Sequence, residues 1–183
     1  MPISGRASFA RASVWNDQSM RRASESEPMR VGVGVDAHAL VEGVPLVLGG
    51  VEIESDRGLA GHSDGDVIAH ALIDAVLGAA GLGDIGSLFP SDAAEWEGAS
   101  SLVLLARAYA QVRELGWTLA NADCVLVGEA PRIAPIRGAM HERLAEALGV
   151  APGVVTVRAT TTDGLGFTGR GEGLAAVAVA LLE

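Results

Sequence analysis

The chain has 183 residues, 49% of them hydrophobic and 20% charged, with a formal net charge of −10. That length and balance suit one domain with a sizeable core and exclude a disordered chain. The acidic surplus argues against nucleic acid, which needs a clustered basic footprint, and no run of about 18 apolar residues offers a membrane span.

Residues 1–29 are rich in Ser and Arg, lack helical or strand periodicity, and contain no hydrophobic stretch of the kind a secretory signal needs. An Arg/Ser-rich opening also suits an organelle transit peptide. The reading taken is a disordered N-terminal extension, or a start at Met29, on a cytoplasmic protein. The single cysteine, Cys124, excludes an intramolecular disulfide and fits a reducing compartment.

Val31 to His38 (VGVGVDAH) alternates with β-branched residues on one phase, which predicts a strand. Pro45 to Ile53 carries two short apolar runs around Gly49-Gly50 and predicts a hairpin-like element. From Asp64 to about Ala80, Val67, Ile68, Ala71, Leu72, Ala75 and Val76 form a helical stripe that Ser63 or Asp64 can cap. Gly81 to Gly98 reads as a long loop, of the kind that is often functional. A second helix is predicted from Ser100 to Leu115, a strand from Ala122 to Gly128 and a third helix from Ile136 to Leu148. Two more strands follow, Val154 to Thr162 and Leu174 to Leu182. The order β-β-α-α-β-α-β-β predicts an α+β single-domain sandwich over residues 30–183, with helices on one face of a mixed β-sheet.

Asp36 and His38, two apart on a strand, leave the same face. His62, Asp64, Asp66 and His70 cluster in one short stretch, and Asp66, His70 and Asp74 recur every four residues along the predicted helix. A carboxylate with two imidazoles is a typical set for a catalytic zinc with one open position, and Asp66 or Asp74 is placed to orient His70. One histidine alone would be ordinary hydrogen-bonded structure. Three of the chain's four histidines among aspartates point instead to a site. His62-Ser63, just before the helix start, suits an anion, although Ser63 also serves as a plain cap. Thr160-Thr161-Thr162-Asp163-Gly164 follows a strand and leads into a Gly-rich run through Arg170, a good phosphate cradle. That run matches neither the P-loop nor the dinucleotide pattern. Ala130-Pro131-Arg132 either meets a nucleotide or makes a turn, and Cys124, in an apolar alternating run, reads as core.

Asp36-Ala37-His38, Ala60–Pro90 and Ala159–Ala176, in that order, resemble the 2-C-methyl-D-erythritol 2,4-cyclodiphosphate synthases, over essentially Arg30 to Glu183. The resemblance implies conversion of 4-diphosphocytidyl-2-C-methyl-D-erythritol 2-phosphate to the cyclic diphosphate with release of CMP. It implies zinc on Asp36, His38 and His70, and a magnesium or manganese ion on the substrate diphosphate at Asp163. It puts His62 and Thr161 at transition-state-stabilising positions. Ser63, Asp84, Ile85, Gly86, Phe89 and Asp92 then contact substrate. Gly128, Pro131, Arg132, Ile133, Ala134, Thr160, Thr161, Thr162 and Asp163 form the cytidine pocket. The implied assembly is a homotrimer with sites between subunits, in which Phe167 and Arg170 lie near the axis.

Three positions depart from the family pattern: Gly164 stands where lysine is frequent, Ala93 where an acidic residue is common, and Val35 where an aromatic is often found. The first two bear on substrate affinity, the third on isoprenoid binding at the axis. Some members are fused to a cytidylyltransferase, and this chain, too short for that, is expected to be monofunctional. A zinc phosphohydrolase and a non-catalytic metal- or isoprenoid-binding trimer are the rival readings.

Overall fold

Strand β1 (Arg30–Glu42) carries glycine on one face and valine on the other. In the computed structural model, which describes residues 28–183, helix α1 (Val67–Ala80) lies directly on the glycine face. A Cβ on Gly32 would stand 2.0 Å from the carbonyl oxygen of Ala75, and one on Gly34 would stand 1.9 Å from that of Ala71. Only glycine on the strand, matched by alanines on the helix, permits this approach, because close-packed backbones leave no room for a side chain. The consequence is functional: a helix this near the strand brings His70 beside Asp36 and His38.

Strands β2 (Leu46–Leu48) and β3 (Val51–Ile53) form an antiparallel hairpin around Gly49-Gly50, as predicted. Strand β4 (Arg57–Leu59) was not predicted; three residues carry no periodicity, and it exists by pairing with the end of β1. That pairing extends β1 past His38 to Glu42, so Asp36 and His38 sit within the strand, not at its end. Helix α2 (Ile85–Leu88) is a single turn inside the predicted loop, and α3 (Ser101–Glu114) follows. Strand β5 (Leu119–Val127), helix α4 (Arg137–Leu148), strand β6 (Val155–Thr160), the one-turn α5 (Gly166–Gly169) and strand β7 (Gly173–Leu182) complete the chain.

The main sheet has the order β4-β1-β7-β5-β6 and is mixed, with β5 and β6 parallel and the other pairs antiparallel. The α+β architecture is as expected. Helix α1 covers β1, β7 and β5, α4 reaches β6, and α3 closes over α1. This makes α1 central and buried nearly all round, not amphipathic; His70 is among its buried residues. Among the described residues nothing covers the opposite sheet face, and Val31, Val33 and Val35 are each more than 60% exposed there. The predicted N-terminal extension falls, through residue 27, outside the described residues.

Candidate metal and phosphate site

Side chains from β1 and α1 converge on one point. Asp36 Oδ2 lies 2.7 Å from His38 Nε2 and 3.0 Å from His70 Nδ1, and the two nitrogens are 3.1 Å apart. The outer nitrogen of each ring is engaged elsewhere. His38 Nδ1 is bonded to the carbonyl oxygen of Ala60 at 2.5 Å, and a carbonyl only accepts, so the ring carries its proton there and turns a bare Nε2 inward. His70 Nε2 lies 2.9 Å from both the Ser63 and the Ser101 hydroxyl oxygens, leaving Nδ1 to the centre. Burial pushes Asp36 up, but when the rings are protonated on their inward nitrogens, hydrogen bonds from His38 and His70 outweigh it and hold the carboxyl well below the usual carboxylate range. His38 is raised, chiefly by its hydrogen bond to Asp36. Among the described residues these three form the group able to hold a metal, a carboxylate oxygen and two imidazole nitrogens within 4.8 Å of one another. That donor set fits a divalent cation, with room for a further ligand on the open side.

The open side is a cavity of about 460 Å³ lined by the triad, His62, Ser63, Ile85, Gly86, Phe89, Pro90, Ser91, Asp92, Trp96 and Leu104. His62 stands exposed at its edge and takes no part in the triad. Of the residues expected to contact substrate, Ile85, Gly86, Phe89 and Asp92 line the cavity, whereas Asp84 does not. Its carboxylate caps α2 by accepting from the Ser87 amide at 2.7 Å. Asp74, expected to orient His70, instead accepts from the Ile85 amide at 2.7 Å and so anchors the wall of the cavity.

Asp66 also corrects the sequence reading. Helix α1 starts at Val67, not Asp64, and its cap is Asp66, not Ser63 or Asp64. The Asp66 carboxylate is fully buried and accepts from the amides of Gly49, Gly50, Ile68 and Ala69 at 2.6–3.2 Å. The helix N-terminus proposed for an anion is therefore already filled by this side chain, which also pins the β2–β3 turn to the helix. Burial pushes Asp66 up, against the amides of Gly50, Gly49 and Ala69.

The phosphate-cradle segments do not line this cavity. Glu129 draws them together elsewhere: its Oε1 accepts from the amides of Thr162 and Gly164 at 3.1 and 3.3 Å, joining Gly128–Ala134 to Thr160–Gly164. Within the loop, the Thr161 hydroxyl donates to Asp163, a residue held at a φ of +53°. Pro131, Arg132, Ala134 and Thr160 to Asp163 lie at the surface or are half-buried, but the Ile133 side chain is 3% exposed and belongs to the core. Any contact of Ile133 with a nucleotide is through its backbone. Phe167 borders a separate small cavity, and Arg170 pairs with Glu172 at 2.7 Å. Cys124 is buried, which pushes its thiol up to about 12, and it has no place in the chemistry.

Ser101 was missed. It is wholly buried, and its only sequence-level trace was its place at the start of a predicted helix.

The YgbB family model matches residues 29–183. The chain is 57% identical over 154 residues to a 2-C-methyl-D-erythritol 2,4-cyclodiphosphate synthase of Moorella thermoacetica, covering 84% of this chain and 94% of the relative. A solved 2C-methyl-D-erythritol-2,4-cyclodiphosphate synthase in a CDP-bound form superposes with a TM-score of 0.77 at 40% identity, over 84% of this chain and all of that one. The bifunctional IspDF of Campylobacter jejuni gives a TM-score of 0.82 at 44% identity, over 85% of this chain but 42% of the bifunctional one.

Proposed function

The chain belongs to the YgbB family, and on that premise we propose how its residues divide the work of a 2-C-methyl-D-erythritol 2,4-cyclodiphosphate synthase. The enzyme converts 4-diphosphocytidyl-2-C-methyl-D-erythritol 2-phosphate to the cyclic diphosphate and CMP, a lyase reaction of isoprenoid biosynthesis. An oxygen of the substrate's 2-phosphate forms a bond to the β-phosphorus, and the bond from that phosphorus to the CMP oxygen breaks. No protein nucleophile is required. The protein's task is to position two phosphates and offset their repulsion.

Asp36, His38 and His70 would hold zinc, and Asp163 would carry magnesium or manganese on the diphosphate. When bound, these ions supply Lewis-acid stabilisation of the phosphate oxygens. His62, at the cavity edge, and Thr161 face the developing charge. Ile85, Gly86, Phe89 and Asp92 enclose the methylerythritol unit, while Gly128–Ala134 and Thr160–Asp163 receive the cytidine diphosphate. Because those two segments lie outside the triad's cavity, the complete site needs a neighbouring subunit. The uncovered valine face of β1 supports a homotrimer built on that face. Among the described residues no helix is long and apolar enough to cross a membrane.

The observation that carries this reading is the Asp36–His38–His70 group opening onto a cavity walled by the Ile85–Asp92 loop. The test is CMP release from the cytidyl substrate, with and without a chelator. A cyclic product in step with CMP, lost on chelation, is expected. Inorganic phosphate in its place would make the enzyme a hydrolase and overturn the proposal.

A further inference from the structure

The outer face of His70 is held by a chain of hydrogen bonds that begins at a carboxylate. The Ser101 hydroxyl donates to Asp64 Oδ1, and Asp64 Oδ2 accepts from the Ser101 amide at 2.9 Å. With its one proton committed to Asp64, the Ser101 oxygen can only accept from His70 Nε2, 2.9 Å away. That assigns the proton of His70 to Nε2 and leaves Nδ1 bare, facing Asp36 and His38. The Ser63 hydroxyl lies 2.9 Å from the same nitrogen and 3.2 Å from Ser101, closing the group.

Ser101 is fully buried and His70 nearly so, so water does not compete for these bonds. The same contacts stitch the 62–64 loop to the start of α3: the Asp64 amide donates to the Ala99 carbonyl at 3.1 Å, and the Gly98 amide to that of His62 at 2.8 Å.

We infer that Asp64 and Ser101 are positioning residues for the metal centre, a carboxylate–hydroxyl–imidazole relay that fixes the ring and tautomer of His70. A metal-bound imidazole whose other N–H is held by a carboxylate-backed partner is oriented before the ion arrives, and loss of such a partner costs about 10–100-fold in metal affinity. The inference rests on the zinc reading above, but it concerns residues that touch neither metal nor substrate.

Zinc affinity of the full chain, measured by competition with a chromogenic chelator, tests it in the parent, Ser101→Ala, Asp64→Asn and the double variant. Cobalt(II) absorption of each loaded protein reports coordination geometry, and thermal unfolding of the metal-free proteins reports the fold. Either single change should weaken zinc about 10–100-fold and shift the cobalt spectrum. The double variant should be no worse than the weaker single, because both act through one nitrogen. If Asp64→Asn does not fold, Ser101→Ala, which deletes one hydroxyl, decides alone. Parent affinity and an unchanged cobalt spectrum in Ser101→Ala would overturn the relay. So would losses that multiply in the double variant. Failure of the zinc reading itself looks different: the parent would then bind no zinc, or His70→Ala would bind it as well as the parent.

Discussion

The two halves of the proposed site are built on opposite principles. At the triad, polar groups sit at the boundary of the core, and each inward-facing imidazole nitrogen is aimed by partners outside the ring's own element: Ala60 for His38, Ser63 and Ser101 for His70. At Gly128–Ala134 and Thr160–Gly164 the groups are mostly exposed, on loops, joined by the exposed carboxylate of Glu129. The first half is preorganised within one chain by burial, where low dielectric makes every satisfied bond count. The second carries donors and hydroxyls toward the surface, as a half-site completed across an interface would. Preorganisation therefore marks the proposed metal half, and exposure the proposed nucleotide half.

The sharpest way to break that contrast is His70→Ala. It should abolish metal binding and lower CMP release by about three orders of magnitude, the several kcal/mol that a Lewis-acid ion contributes, while nucleotide binding by the other half persists. Metal analysis and turnover on one preparation check it. Acidification should act next. A proton competes with the ion for His38, whose pKa is raised by Asp36, so affinity falls as pH drops, by about tenfold per unit for each proton displaced. In the metal-free protein the same raised pKa contributes stability below the ordinary imidazole value of 6.5, which is lost as pH rises through the folded value. Zinc titrations across that range, alongside nucleotide titrations that should not share the slope, test the sign.

A smaller effect is expected from Gly34→Ala. Its Cβ would stand 1.9 Å from the Ala71 carbonyl oxygen, so α1 must move, at about 1–3 kcal/mol of overpacking. Denaturant unfolding should show the loss, and zinc affinity should fall with it because His70 rides on α1. The smallest is Glu129→Ala. Two amide bonds at an exposed carboxylate contribute about 1 kcal/mol, so KM for the cytidyl substrate should rise roughly fivefold with kcat and zinc affinity unchanged. A fall in zinc affinity instead would mean that the two halves are not independent.

Much of the metal half was legible from residue order. Types and spacing gathered Asp36, His38, His62 and His70 into one candidate cluster on a strand and a helix with clear periods, and the family resemblance singled out Asp36, His38 and His70 as the ligands. What misled was the expectation that neighbours in sequence are neighbours in space. Asp66 and Asp74 repeat every four residues with His70, yet Asp66 closes the helix start and Asp74 holds the Ile85 amide. The groups that do hold His70 are seven and 31 residues away, at Ser63 and Ser101. Ser101 looks like any serine at the head of a helix.

Sequence alone determined the elements with clean periods, the glycine–alanine complement that lets α1 lie on β1, and the donor atoms available to a metal. These are local properties, written in spacing and side-chain chemistry. Tertiary structure decided which nitrogen of each histidine turns inward, which aspartate is a cap and which backs the imidazole, and that the nucleotide segments stand apart from the triad's cavity. The physical reason is that a tautomer, a buried carboxylate's role and a shared wall are set by the far partner of a hydrogen bond, and that partner is chosen only when the chain folds.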